Sequence, residues 1–159
     1  MKNSHIIATG FILGALTAGA LFVNDAIRKD DTVSWRPGDT SGIIDPLYPP
    51  GRWMKATNHA QEMTDEPGYT DILVPHGYKT MTLVAYFENP DTVPVDIGMR
   101  TTDGGMDLRP AKFGHLEESF DLAKLRITDG RIQVIMSAPK IRDGAKGIVI
   151  KSIAVTYHK

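Results

Sequence analysis

From about Asn58 to Lys159, apolar and polar residues alternate with a period of two. In "TMTLVAYFEN", Met81, Leu83, Ala85 and Phe87 fall on one face, and Thr80, Thr82, Val84 and Tyr86 on the other. In "VPVDIGMRT", Val93, Val95, Ile97 and Met99 alternate with Pro94, Asp96, Gly98 and Arg100. "RIQVIMS" sets Ile132, Val134 and Met136 against Arg131, Gln133 and Ile135, and "GIVIKSIAVTY" is a last long run rich in β-branched residues. Such alternation predicts half-buried strands. Turn signals separate them at Pro75-His76-Gly77, Asn89-Pro90-Asp91, Asp103-Gly104-Gly105, Asp129-Gly130 and Asp143-Gly144. The spacing predicts an all-β domain, an antiparallel β-sandwich of jelly-roll type over residues 58–159. "LEESFDLAKL" fits either a helical turn or a strand with a loop.

Before this domain the pattern changes. "WRPGDTSGIIDPLYPPGRW", Trp35 to Trp53, holds four prolines and three glycines, which forbid a long helix or a central strand. Its Trp35, Ile43, Ile44, Leu47, Tyr48 and Trp53 are too apolar for a free spacer. Residues 31–57 are therefore expected to form an extended arm on a surface, either its own domain's or a neighbour's. Trp35, Tyr48 and Trp53 are its candidate partner-binding residues, because aromatics offer large contact area at low entropy cost.

Residues 1–30 carry "IIATGFILGALTAGALFV", Ile6 to Val23, without a charge. Two readings stand. As a signal peptide it has Lys2, an apolar core and Ala18-Gly19-Ala20 as a small-x-small cleavage pattern before Leu21. As a retained helix it would rise about 27 Å, close to a bilayer's hydrocarbon core. Gly10, Gly14 and Ala18 would then share one face, a seam where another helix can approach closely. Apolar character continues through Leu21, Phe22 and Val23, which favours the retained helix, in a membrane or packed with equivalent helices.

Composition removes several function classes. The chain of 159 residues has no cysteine, so disulfides, thiolate zinc sites and cysteine nucleophiles are excluded. Its net charge of −1 has no basic run, and no nucleic-acid partner is expected. His5, His59, His76, His115 and His158 are scattered without helical metal-site spacing. His115 and Glu117 would share a strand face as an exposed pair, whereas Glu117 and Glu118 would point apart. Asp103 and Asp107 around "GGMD" fit a glycine turn with solvated carboxylates better than a cation loop. No nucleophile elbow, phosphate loop or dinucleotide fingerprint occurs. Neither an enzymatic activity nor a cofactor is expected.

The order "YKTMTLVAYFEN", "VPVDIGMRTTDGG", "ESFDLAKL", "RIQVIMSAPK" and "GIVIKSIAVTYHK" resembles the carbohydrate-binding-module type of jelly roll. The resemblance implies acidic residues in the last strand that help hold a structural calcium. Lys151 and Ser152 stand there instead, a departure that puts the calcium in doubt. Similar jelly rolls serve as decoration or fibre modules of virus particles. The expected function is a non-catalytic structural module in a virion or envelope-associated assembly, with protein neighbours in a homo- or hetero-oligomer and a membrane contact through residues 6–23. The alternative is an exported carbohydrate-binding module, secreted or periplasmic after signal cleavage, with Tyr69, Tyr78, Tyr86 and Tyr157 as its domain tyrosines.

Overall fold

The structure, a computed structural model, describes residues 32–159. The apolar segment 6–23, with Gly10, Gly14 and Ala18, lies outside the described residues. Among the described residues no helix is long and apolar enough to cross a membrane.

The alternating segments form strands. They are β1 (Thr32–Trp35), β2 (Trp53–Thr57), β3 (Ala60–Met63), β4 (Gly68–Leu73), β5 (Thr80–Glu88), β6 (Asp96–Arg100), β7 (Met106–Pro110), β8 (His115–Asp121), β9 (Ile127–Thr128), β10 (Arg131–Ser137) and β11 (Ile148–His158). One sheet runs β2-β3-β11-β5-β8, with β1 also paired to β11; the other runs β4-β10-β6-β7, with β9 on β10. All of these pairs are antiparallel. The fold is thus a two-sheet antiparallel β-sandwich. The ambiguous "LEESFDLAKL" is strand β8 followed by a short 3-10 turn at Leu122–Lys124. The Asp121 carboxylate stops the strand by accepting the Ala123 backbone N–H at 3.0 Å.

The apolar faces meet between the sheets. Met81, Leu83 and Ala85 of β5 pack with Ile153, Val155 and Tyr157 of β11 and with Leu116 and Phe120 of β8, all buried. The second sheet contributes Ile72, Ile97, Met99, Ile132, Val134 and Met136. Strand β11 holds its apolar side inward over its full length only because its register with β5 shifts between Ile150 and Ser152. Ile148 and Ile150 are buried on even numbers, and Ile153, Val155 and Tyr157 on odd ones. One bulged residue at Lys151 absorbs the change of phase.

Residues 32–57, expected as an extended arm on the surface of their own domain or a neighbour's, carry strands of this domain. β1 pairs with Ile153–Thr156 of β11, and β2 pairs with β3. Between them Ile44 bridges Ile72 and Tyr48 bridges Tyr69, which lays the segment over β4. Prolines and glycines interrupt this path, and its apolar side chains close the sandwich: Trp35, Ile44, Leu47 and Trp53 are all buried. This burial has a simple cause. Covering an otherwise open core buries these side chains without recruiting a second molecule.

Candidate functional site

The outer face of the second sheet is where alternation places chemistry. In β4, Thr70 and Ile72 point inward, so Tyr69 and Asp71 point out. In β10, Ile132 and Val134 point inward, so Arg131 and Gln133 point out. Arg100 ends β6, exposed, and pairs across to Met106 of β7. The register sets Gln133 opposite Asp71, and its continuation from the Val134–Met99 pair brings Arg100 to the other flank of Gln133. One row across the sheet therefore reads Asp71, Gln133, Arg100, Met106. The next row along the strands is apolar: Tyr69 and Gly98 flank Ile135, and Leu108 lies opposite Gly98.

Tyr48 locks the polar row. Its hydroxyl donates to Asp71 Oδ1 and Oδ2, at 2.9 and 3.0 Å, and accepts from Gln133 Nε2 at 2.8 Å. Arg100 Nε donates to Gln133 Oε1 at 3.0 Å, which fixes the orientation of the amide. The Tyr48 ring lies 5.5 Å from that of Tyr69, tilted by 31°. Burial is the largest influence on the Tyr48 phenol and raises its pKa, with Asp71 adding in the same direction and Gln133 opposing. Arg131 Nη1 sits 2.9 Å from Asp45 Oδ2 at the edge of the face.

Asp71, Arg100, Arg131 and Gln133, with Arg126 and Asp129, line a cleft of about 510 Å³. A second hollow of about 170 Å³ continues along the face past Tyr69, Met106, Leu108, Ile135 and Ser137, and shares Arg100 with the first. Gly98 is required beneath it. A Cβ there would collide with the Asp107 carbonyl, so strand β7 can lie this close only over glycine. The combined groove offers planar polar groups at one end and an apolar floor at the other. That composition suits a ligand with both hydroxyls and C–H faces.

The expected partner-binding residues separate here. The Trp35 indole donates to the Asp39 carbonyl at 3.0 Å and that of Trp53 to the Tyr48 carbonyl at 3.1 Å; both rings are core. They present no face to a neighbour. Of the three, Tyr48 alone hydrogen-bonds residues that line the groove, Asp71 on β4 and Gln133 on β10. His115 and Glu117 approach to 3.9 Å on the outer face of the first sheet, where Tyr86, half exposed, stacks on His115 at 4.7 Å. Asp103 caps its own glycine turn, accepting from the Thr101 hydroxyl and from Gly105 N, and Asp107 pairs with Arg109 at 2.9 Å. Among the described residues no three His, Asp or Glu side chains group as metal ligands, and Lys151 in the last strand pairs with Glu88 at 2.8 Å.

No protein-family model and no curated protein matches the chain. Among solved structures, it is similar to the native structure of a family 35 carbohydrate binding module from Clostridium thermocellum. That match has 12% identity and a TM-score of 0.48, over 79% of this chain and 97% of that one. It is also similar to the Podospora anserina GH26-CBM35 beta-(1,4)-mannanase, at 12% identity and a TM-score of 0.47, over 82% of this chain and 28% of that one. A third is the enzymatically active domain of tailspike protein 4 of bacteriophage CBA120, at 11% identity and a TM-score of 0.36, over 79% and 19%. All three likenesses have TM-scores below 0.5, and the sandwich assignment rests on the two antiparallel sheets themselves.

Proposed function

We propose that this chain is a non-catalytic carbohydrate-binding module that takes a polysaccharide along the outer face of the β4-β10-β6-β7 sheet. The observation that carries this reading is the row Asp71–Gln133–Arg100, pinned by Tyr48 and continuous with the Tyr69–Ile135–Leu108 floor. Sugar hydroxyls donate to carboxylate and amide oxygens and accept from guanidinium and amide N–H groups. The less polar face of a pyranose ring packs on aromatic and aliphatic side chains. Prior ordering of the polar row lowers the entropic cost of binding.

This reading takes the exported alternative over the assembly module. Two of the three aromatics expected to hold a neighbour are spent on the domain's own core. Residues 1–20 fit a leader cut before Leu21, which suits a module that meets its polysaccharide outside the cell. The test is titration against a panel of neutral and acidic polysaccharides. At least one is expected to bind tighter than millimolar, with Gln133→Ala weakening it about tenfold through the lost hydrogen bonds. A panel with no binder tighter than millimolar would overturn the proposal.

A further inference from the structure

Arg100 and Arg126 face each other across neighbouring backbone segments. Thr101 bridges Leu125 antiparallel, and Arg126 N donates to the Arg100 carbonyl at 2.9 Å. The two arginines are therefore a directly opposed like-charge pair, an arrangement that disfavours the fold. Both are exposed and both line the larger cleft.

Local compensation is missing. Arg100 spends its Nε on the Gln133 amide oxygen, and neither arginine forms an ion pair among the described residues. Of the carboxylates nearby, Asp71 accepts the Tyr48 phenol and Asp45 pairs with Arg131, whereas Asp129, in the Asp129-Gly130 turn, lines the same cleft and forms no ion pair with either arginine. The Arg100 Nη groups and the Arg126 fork enter no side-chain hydrogen bond or ion pair among the described residues, and both side chains line the cleft together with Thr128.

We infer that Arg100 and Arg126 form an anion subsite that takes a negatively charged substituent, a carboxylate or a sulfate, carried on the polysaccharide. The inference rests on the proposed function for its carrier, not for the anion. A guanidinium fork presents paired N–H donors at the spacing of two oxygens of one oxyanion. Two forks side by side neutralise such a group and remove their own repulsion when it binds. The site lies in line with the Asp71–Gln133 row, so one chain can fill both.

The experiment compares a polygalacturonate oligomer, its carboxyl-reduced neutral counterpart, a sulfated glycosaminoglycan and inorganic sulfate. It uses the whole protein and Arg126→Gln, a variant that breaks no side-chain hydrogen bond or ion pair among the described residues. Either the uronate or the sulfated chain is expected to bind about tenfold tighter than the neutral oligomer at low salt. That preference should shrink as salt rises and vanish in Arg126→Gln. Which of the two chains binds identifies the substituent. Equal affinity for charged and neutral oligomers, or an unchanged preference in Arg126→Gln, overturns the anion subsite and leaves the carbohydrate reading standing. If no glycan binds but sulfate raises the melting temperature of the wild type and not of Arg126→Gln, the anion subsite stands and the carbohydrate reading falls. If sulfate also does nothing, both fall.

Discussion

Tyr157 is a core residue with a polar end. Its ring is buried between the sheets, and its hydroxyl crosses to the other sheet and donates to the Leu73 carbonyl. Burial pushes the phenol pKa well above its ordinary value of about 10. The neutral phenol is thus favoured in the folded state, and the folded pKa lies above the unfolded one. The resulting stability is fully present below pH about 10 and is lost as pH rises above it. Tyr48, also raised, contributes in the same direction. Melting temperature should therefore hold up to the unfolded phenol range and fall beyond it. Tyr157→Phe should cost about 1 kcal/mol at neutral pH and flatten the alkaline fall. An equally steep alkaline fall in the variant would show that Tyr157 is not the group responsible. The sequence displays Tyr157 among the domain's tyrosines, but its partner is a backbone carbonyl 84 residues away, which alternation does not reveal. The outward side of Tyr86 was legible, because it follows from strand parity alone.

Parity governs the elements as well. The bulge in β11 can be read in "GIVIKSIAVTY", where the apolar phase slips by one residue around Lys151. Turn chemistry is equally legible: Asp129 and Gly130 both have positive φ, as a two-residue hairpin turn between β9 and β10 requires. The groove was not legible as a site. Its residues come from β4, β6, β7, β9, β10 and the loops between strands, and each reads locally as an ordinary outward position. Only the strand order β4-β10-β6-β7 brings Asp71, Gln133 and Arg100 into one row. Gly98 is the element-scale test of that row's neighbour. In sequence it is one more polar-face position of "VPVDIGMRT", whereas in the fold it permits β7 to close over β6. Gly98→Ala should push β7 outward and destabilise the domain by about 1–3 kcal/mol, the usual cost of overpacking. Amide exchange should rise in Met106–Pro110 before it rises in β5 or β11. Unchanged protection in β7 would mean that the strand has room the structure does not show.

At the scale of the molecule, the question is where the folding unit begins. The sequence invites a boundary near Asn58, because strict alternation starts there and prolines crowd the stretch before it. Proline and glycine, however, report on the path of the chain and not on what its side chains cover. Residues 32–57 supply strands β1 and β2 and bury Trp35, Ile44, Leu47 and Trp53 against the core. Truncating one buried Trp costs about 3–5 kcal/mol, and one buried Leu or Ile about 2–5 kcal/mol. Four such losses together come to about 10–20 kcal/mol, as large as the whole stability of a typical domain, about 5–15 kcal/mol. A chain spanning residues 32–159 should therefore unfold in one cooperative transition, and a chain spanning 58–159 should show none. Fluorescence gives an independent readout, since the only two tryptophans of the sequence both lie in the disputed segment. In the longer chain their emission should be that of buried indoles and should shift to that of solvated ones at the same denaturant concentration at which the β signal is lost. If the tryptophan signal shifts first while the sheets persist, the segment is a detachable arm and the domain begins at Asn58. If the two signals move together, Trp35 and Trp53 belong to the folding unit, and the cleft that Tyr48 organises is built by the same cooperative event that closes the core.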